Sequence, residues 1–244
     1  MLDPAVLRAR EYFPRGLSQP DAGFRFSLDA LLLAAFARQG ASRVLDLGTG
    51  CGVVGLAWAL IHPDSFVVGL DANPAMLVHA RENARRLGLA GRFAAVRADV
   101  ARPGGFRPES MDLVLCNPPY RDPGTGRVCP HVGKNAARFE SGAVLADFIR
   151  ATAFVLRNRK PCAFIHLAER VDDLLGLLSE HRLRPKELLF VHPKPDVLAR
   201  LVLVLAVKNG GPGLTVAAPL VLHGEAGLTA QALAFCPWLA CNSR

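Results

Sequence analysis

Seven short apolar runs alternate with helical patterns, and this alternation constrains the fold more than any other feature of the sequence. The runs are RVLDLG, SFVVGLDA, RFAAVRADV, MDLVLCNPP, PCAFIHLAE, ELLFVHP and ARLVLVLAVK. Between them, GVVGLAWALIHP, PAMLVHARENARRLG, LADFIRATAFVLRN and VDDLLGLLSEHRL have the length and apolar spacing of α-helices. Strands that alternate with helices predict an α/β fold with a doubly wound, mostly parallel sheet.

The length of 244 residues suits one large α/β domain with a modest appendage. Residues 1–40 precede the first predicted strand and form a predicted N-terminal extension. This extension contains an apolar helix over DALLLAAFAR, with Ser27 as the expected N-cap. Residues 41–244 are predicted to form the main domain.

Composition excludes a disordered chain, because 51% of residues are hydrophobic and 20% are charged. The longest aliphatic runs, such as LVLVLAV, fall short of the roughly 20 residues that a membrane-spanning helix needs. The opening MLDPAVLRAR also lacks the layout of a signal peptide. We therefore expect a cytoplasmic protein that does not enter a membrane.

The cysteines and histidines show no metal-binding pattern. The six cysteines are scattered without C-x-x-C spacing, so we expect reduced thiols and no metal site. The separated histidines, His166 among them, lack a carboxylate at catalytic spacing and are interpreted as core or surface residues. Trp58, on an apolar helix, is expected in the core.

The net charge of +8 and the isoelectric point near 9.6 are compatible with a polyanionic partner. Charge alone does not decide between such a partner and a basic composition of other origin.

A glycine-rich stretch, VLDLGTGCGVVG, occupies residues 44–55 where a strand turns into a helix. Gly48, Gly50 and Gly52 would let the backbone approach a ligand closely beside the positive end of a helix. Asp46, just before the turn, disfavours a pyrophosphate because two anions would face each other. The stretch therefore predicts a site for a ligand that carries positive charge.

Two further strands end with an aspartate. Asp71 closes the second strand and could accept hydrogen bonds from both hydroxyls of a ribose. Asp99 closes the third strand and could meet an adenine amino group. Each aspartate could instead only cap a turn. Together with Asp46 they predict a ligand site at the carboxyl edge of the sheet.

The fourth strand ends in Asn117, Pro118, Pro119 and Tyr120. Pro118 restricts Asn117 to extended conformations, and neither proline can donate to a sheet ladder, so their carbonyls stay available as acceptors. Two acceptors and an aromatic face would hold a planar NH2 group. The alternative interpretation is a plain turn, because Asn-Pro and Pro-Pro are common loop dipeptides. Beside three acidic strand ends, the four residues are interpreted as catalytic.

The stretch DLGTGCG with a downstream LDAN resembles the class I S-adenosylmethionine-dependent methyltransferases over most of residues 40–207. The resemblance implies a Rossmann-like, seven-stranded sheet whose last strand is antiparallel, and S-adenosyl-L-methionine as cofactor. NPPY matches the motif of amino-group methyltransferases, which modify adenine N6, cytosine N4 or protein glutamine N5. The main-domain residues implied to bind the cofactor are Asp46, Gly48, Gly50, Gly52, Asp71, Ala72, Asp99, Val100 and Asn117.

The N-terminal stretch LSQPDAGFRFSLDALLLAAFA resembles the opening of bacterial tRNA1(Val) adenine-N6 methyltransferases. AARFE at 136–140 and FVHPKPDVLARLVLVLAVKNG are similar to later parts of that family, although Phe139 replaces an expected histidine. The resemblance implies methylation of N6 of adenosine 37 in tRNA. It places Arg25, Phe26 and Asp29 over the methionine end of the cofactor pocket, so the extension would cover that pocket; the alternative for these residues is ordinary helix capping and packing. RNA phosphates would be contacted by the basic residues of the 121–140 loop, which are Arg121, Arg127, Lys134 and Arg138.

Other substrates stay open, because the motif selects an amino group and not the molecule that carries it. The alternatives are guanine N2 in rRNA, adenine N6 in DNA and glutamine N5 in a protein. Glutamine-modifying enzymes of release factors usually place a longer recognition domain before the glycine motif than the roughly 40 residues present here. A cofactor-binding RNA module without turnover is disfavoured by the intact NPPY. The chain is expected to be a monomer or a homodimer.

Overall fold

In the computed structural model, which describes residues 3–20, 26–38, 40–102, 105–120 and 143–241, the chain is built around one large sheet. The order of strands within the described residues is β3-β2-β1-β4-β5-β7-β6-β8, and β9 also pairs with β6. The strands are β1 Arg43–Leu47, β2 Phe66–Asp71, β3 Phe93–Arg97, β4 Leu113–Cys116, β5 Pro161–Leu167, β6 Leu183–His192, β7 Leu201–Lys208, β8 Thr215–Val216 and β9 Leu220–Val221. A separate hairpin joins β10 His223–Gly224 to β11 Gly227–Leu228.

The first five strands pair in parallel, and β7 is antiparallel to both of its neighbours, β5 and β6. This confirms the predicted mostly parallel sheet with its last long strand antiparallel. The sequence did not predict β8 and β9, which extend the sheet beyond seven strands, because two-residue strands carry no apolar periodicity.

The order of strands reverses between β1 and β4. From β1 the chain runs outward to β2 and β3 on one side, and then returns to β4 and β5 on the other side. Ligands of open α/β sheets bind in the crevice at the carboxyl ends of the strands where this reversal occurs. The end of β1 carries the glycine stretch and the end of β4 carries NPPY, so both motifs flank this crevice.

The described helices are α1 Pro4–Glu11, α2 Leu28–Phe36, α3 Val53–Ile61, α4 Pro74–Arg86, α5 Leu145–Val155, α6 Val171–Glu180 and α7 Ala230–Phe235, with 3-10 turns at Ala168–Arg170 and Pro237–Cys241. Five of these helices, α2 to α6, occupy predicted positions, whereas α1 and α7 were not predicted. Asn73 starts α4 by accepting a hydrogen bond from the Ala75 N–H at 2.9 Å. Ser27 is the residue before α2, as predicted, but its side chain makes no capping hydrogen bond.

Two hydrophobic clusters cover the two faces of the sheet. Leu113 and Leu115 of β4 belong to the first cluster, whereas Val114 and Cys116 belong to the second, because successive strand side chains point to opposite faces. The first cluster includes α2, α3 and α7, with Trp58 fully buried as expected. The second cluster includes α5 and α6. The ligand edge is therefore held between two packed layers of helices.

A cavity of about 590 Å³ lies at the opposite, amino edge of the sheet, where its lining includes Arg43, Asp112, Arg157 and Lys160. The Asp112 carboxylate there accepts from Arg157 Nη1 at 2.6 Å and from the Arg43 N–H at 3.1 Å. Arg43 is the first residue of β1, and Asp112 directly precedes β4, so this edge holds the amino ends of both strands. The two motifs follow the carboxyl ends of the same strands, so the cavity is separate from their crevice.

Candidate active site

The glycine loop follows β1 and is fastened to β2. The N–H groups of Gly48 and Thr49 donate to the Leu70 carbonyl at 2.8 and 2.9 Å. Gly48, Gly50 and Gly52 have φ angles of 73°, 54° and 92°, in the left-handed region that favours glycine. Gly52 then directly precedes α3. The loop therefore turns sharply from strand to helix and leaves backbone facing the crevice.

Phe148 of α5 packs against the loop at Gly48. A Cβ atom on Gly48 would lie 3.1 Å from Cε1 of the Phe148 ring, which is closer than ordinary van der Waals contact. The loop thus has two reasons for glycine at this position, the backbone angle and the close aromatic neighbour. The residue pattern had indicated neither of these reasons, but only that glycines let the backbone approach a ligand closely.

The buried carboxylate of Asp46 holds the loop through two hydrogen bonds. Its carboxylate Oδ2 accepts hydrogen bonds from Thr49 Oγ1 at 2.6 Å and from the Gly55 N–H at 2.9 Å. The residue is only 1% exposed, and this burial raises the pKa of Asp46 to about 6. A positive charge nearby would favour the ionised carboxylate. Asp46 therefore fits a loop that receives a cationic ligand.

Asp71 is the last residue of β2 and links that strand to the glycine loop. Its Oδ2 accepts from the Gly50 N–H at 2.8 Å, and its Oδ1 accepts from the Asn73 N–H at 2.9 Å. Burial raises the pKa of Asp71 above its ordinary value. Each oxygen keeps a further lone pair, so the carboxylate can still accept ribose hydroxyls. Its neighbour Ala72 is half-buried at the same edge.

Asp99 lies two residues beyond the end of β3, a little later than the sequence suggested. Its Oδ1 accepts from the Ala101 N–H at 2.9 Å, which is the turn-capping role considered as the alternative. The carboxylate is exposed, and Val100 beside it is buried in the second cluster. β3 pairs with β2 through Asp71 and Arg97, so Asp99 lies at the edge that Asp71 occupies.

NPPY begins directly beside the glycine loop. Cys116, the last residue of β4, pairs with Leu47, the last residue of β1. Asn117 therefore follows β4 at the level where Gly48 follows β1. Asn117 is half-buried, Pro118 is buried and Pro119 is half-buried. The sheet thus brings the predicted catalytic residues to the predicted cofactor loop.

Three elements distant in sequence contact Tyr120. Its hydroxyl donates to Asp29 Oδ2 at 2.6 Å. Its ring lies 5.3 Å from the His166 ring, with an angle of 67° between the planes. Arg170 Nη1 donates to the Tyr120 carbonyl at 3.3 Å. His166 is fully buried, which is one of the two positions left open from the sequence, but its contact with NPPY was missed because no local pattern signals it.

The extension reaches the site through α2, whose first turn contains Asp29. Phe26 is partly buried against the first cluster, and its N–H donates to Gln19 Oε1 at 3.1 Å. Five basic residues with predicted roles lie outside the described residues. These are Arg25, Arg121, Arg127, Lys134 and Arg138.

The described part of the chain contains no group of three or more His, Cys, Asp or Glu residues that could hold a metal ion. Within the same ranges, no helix has the length and hydropathy to cross a membrane. The cysteines in these ranges are unpaired thiols, and burial raises the pKa of Cys51 to about 12.

Comparison with known proteins agrees with this geometry. The family model named methyltransferase small domain matches residues 26–138, which include the glycine loop and NPPY. A crystal structure of a protein from Agrobacterium tumefaciens, titled a predicted O-methyltransferase, has a TM-score of 0.70 at 24% identity and covers 85% of this chain and 94% of its own. A geranyl diphosphate C-methyltransferase from Streptomyces coelicolor, solved with S-adenosyl-L-homocysteine, has a TM-score of 0.56 at 14% identity, with coverage of 85% and 94%.

Residues 26–138 match the methyltransferase small domain family, and the chain has the fold of the class I S-adenosylmethionine-dependent methyltransferases. This match and this fold support S-adenosylmethionine as the cofactor. Within that class the chain is similar to the tRNA1(Val) (adenine(37)-N6)-methyltransferase of Bacteroides thetaiotaomicron, at 29% identity over 183 residues, 74% of this chain and 76% of the relative. Shorter matches reach a ribosomal RNA large subunit methyltransferase G of Pseudomonas paraeruginosa, 46% identical over 81 residues (33% of this chain, 21% of the relative), and a release factor glutamine methyltransferase of Moorella thermoacetica, 40% identical over 77 residues (32% and 26%).

The described residues fit this cofactor. Gly48 has no room for a Cβ beside Phe148, Gly50 has a backbone angle that favours glycine, and Asp46 and Asp71 supply negative charge beside this loop. The individual contacts of Asp46, Gly48, Gly50, Gly52, Asp71, Ala72, Asp99 and Val100 with the cofactor stay predictions.

Proposed function

We propose that the protein methylates the exocyclic N6 amino group of an adenosine in tRNA, of the tRNA1(Val) position 37 type. The observation that carries this proposal is the pairing of β4 with β1, which brings Asn117 beside the glycine loop. The similarity to tRNA1(Val) adenine-N6 methyltransferases over 74% of the chain supports the choice of tRNA. A cytoplasmic location accords with such a substrate.

Asn117 and Pro118 would bind the amino group. The Asn117 side-chain oxygen and the Pro118 carbonyl each accept one N–H of the substrate, and the Tyr120 ring stacks on the base. As the nitrogen becomes pyramidal, its N–H groups turn toward these acceptors. Its lone pair then turns toward the side where the cofactor would bind. Contacts that strengthen along this path lower the barrier. No strong base is required, because the nitrogen loses its proton after alkylation.

The cofactor, when bound, supplies a methyl group on a positively charged sulfur. The glycine loop would hold it beside Asn117, which follows β4 at the level of Gly48. Gly48 and Gly50 would allow close backbone approach, Asp71 would accept the ribose hydroxyls, and Asp46 holds the loop through Thr49 and Gly55. Holding both reactants at one edge of the sheet would contribute to the rate independently of any acid or base.

The RNA would be held mainly through its phosphates. The chain has a net charge of +8, and phosphate neutralisation releases counterions and strengthens binding. We assign these contacts to Arg121, Arg127, Lys134 and Arg138. Proteins that modify a base take it out of its stack, and aromatic side chains such as Tyr120 receive it.

The second candidate is an amino-group methyltransferase with another substrate, such as guanine N2 in rRNA, adenine N6 in DNA or glutamine N5 in a protein. Its support is the higher identity of the shorter matches, 46% and 40%. Those matches cover about a third of this chain, at 33% and 32%. A match of that length can come from the shared cofactor and NPPY core alone.

The test uses methyl-labelled cofactor with bulk tRNA, rRNA, DNA and a release factor in parallel reactions. Digestion of the tRNA to nucleosides should give labelled N6-methyladenosine. Label that appears only in guanosine, in DNA or in the release factor would contradict the proposal and select the corresponding alternative.

Two variants separate chemistry from cofactor binding. Asn117→Ala should lower kcat by roughly 100-fold or more, as expected for loss of a group that stabilises the transition state, with cofactor Kd largely kept. Asn158→Ala is the matched control, since this exposed amide bonds Asn209 far from NPPY, and it should behave as wild type. A normal kcat in Asn117→Ala, or a large rise in its cofactor Kd, would contradict the role given to Asn117.

A further inference from the structure

We propose that Asp29 and His166 are positioning residues that fix the ring of Tyr120 in the orientation in which it stacks on the substrate base. This inference rests on the proposed function, because it concerns how the same site receives its substrate. It gives Asp29 a role that acts through Tyr120 and not through the cofactor. It also gives His166 a role in substrate binding.

The first support is the bond between the Tyr120 hydroxyl and Asp29. Its length of 2.6 Å falls in the range of hydrogen bonds from a hydroxyl to a carboxylate, which are stronger than neutral ones. Asp29 lies in the first turn of α2, where the helix dipole favours a negative charge. The acceptor is therefore well suited to hold this hydroxyl.

The second support is the rigidity of the element that carries Asp29. Leu31, Leu32 and Leu33 of α2 are all fully buried, so the helix cannot shift without disturbing the core. A carboxylate on such a helix has a defined position. The bond therefore ties the end of NPPY to a fixed point, 91 residues away in sequence.

The third support is that other elements hold the rest of the residue. The fully buried His166 of β5 contacts the ring of Tyr120 in a T-shaped geometry, at 5.3 Å between centroids. Arg170, in the turn after β5, donates to its backbone carbonyl. The hydroxyl, the ring and the carbonyl of Tyr120 thus each have a separate partner, while the residue stays only half-buried. The ring is ordered before the base arrives, so binding need not order it.

A double-mutant cycle tests the role of Asp29. Asp29→Ala and Tyr120→Phe should each lower kcat/KM for tRNA by roughly tenfold, mainly through KM, with cofactor Kd unchanged within about twofold. The double variant should be no worse than either single one, because both remove the same bond. Asp29→Asn keeps an oxygen acceptor and should recover part of the loss. Additive losses, or a weakened cofactor in Asp29→Ala, would overturn the proposal.

The histidine is tested in the same assay. His166→Phe keeps an aromatic ring against Tyr120, so its KM for tRNA should rise less than that of His166→Ala. Equal effects of the two variants on KM would remove His166 from the proposal.

A readout without RNA makes failure of this inference distinguishable from failure of the proposed function. The chain has two tyrosines, Tyr12 and Tyr120, so Tyr12→Phe leaves Tyr120 alone. Labelling that protein with 3-fluorotyrosine gives one fluorine NMR resonance, which reports the surroundings and the mobility of the Tyr120 ring. Asp29→Ala should narrow it and move it toward the position of the free amino acid, with Asp29→Asn in between. A resonance unchanged in Asp29→Ala would overturn the inference whether or not the wild type methylates tRNA.

Discussion

Replacing Gly48 by alanine should weaken both the fold and cofactor binding, for reasons that can be separated. Gly48 has a φ of 73°, and an added Cβ would lie 3.1 Å from Cε1 of Phe148. The left-handed backbone costs an alanine about 1 to 2 kcal/mol. The close contact adds about 1 to 3 kcal/mol, since either the ring or the loop must move.

Gly16→Ala is the matched control, because Gly16 has a similar φ of 77° but nothing within 4 Å of the added Cβ. Urea unfolding of the wild type and both variants gives the free energies of unfolding, and calorimetric titration gives cofactor Kd. Gly16→Ala should lose only the backbone cost and keep Kd. Gly48→Ala should lose at least about 1 kcal/mol more and bind the cofactor roughly tenfold more weakly.

Equal losses of stability in the two variants, with equal Kd, would refute the reasoning. That outcome would mean that the Phe148 ring yields without cost and that the loop tolerates a side chain facing the crevice.

Two further predictions concern buried carboxylates. The pKa of Asp46 is raised to about 6, so between pH 4 and pH 6 the folded state holds a proton that the unfolded state has released. The stabilisation of the fold by this proton is therefore complete below about pH 4 and is lost as the pH rises through 6. Urea unfolding at pH 4 and pH 7 should show that wild type loses about 2 kcal/mol more over this range than Asp46→Asn, and equal losses would contradict this prediction. Arg157→Ala should destabilise the fold by about 1 to 2 kcal/mol, because Asp112, 10% exposed, loses its ion pair. Arg85→Ala, whose side chain is 72% exposed, should leave stability unchanged, and similar losses in both would contradict this difference.

The long strands and helices could be predicted because each is a local pattern. RVLDLG becomes a strand since its apolar residues are bounded by a glycine turn, and α4 begins at a proline preceded by an asparagine cap. The short strands β8 to β11 could not be predicted, because two residues such as Thr215 and Val216 are too few to show a period. Their pairing depends on β6 being already in place.

The residues of the candidate site also fall into two groups, those that local sequence could predict and those that it could not. Gly48 and Asn117 could be found because each directly follows an apolar run, and parallel strands end at one edge. The Asp29 and Tyr120 pair could not be found, since its partners meet only through the packing of α2 on the sheet. The anchoring role of Asp46 was also hidden, because the second donor to its carboxylate is a backbone N–H of α3. Contacts set by tertiary packing leave no periodic trace in sequence.

The contacts that cover α2 have a consequence for folding during synthesis. The Leu31 carbonyl of this helix accepts a weak bond from Cys236 Sγ at 3.8 Å, 205 residues later in the chain, and Phe13 meets Trp238 edge to face at 4.9 Å. During synthesis, the apolar surface of α2 therefore stays uncovered on this side until residues 236–241 have emerged from the ribosome. Closing so long a loop is slow, and exposed apolar helices aggregate or recruit chaperones in the interval. We therefore expect α2, which presents Asp29 to Tyr120, to be among the last helices to be fully packed.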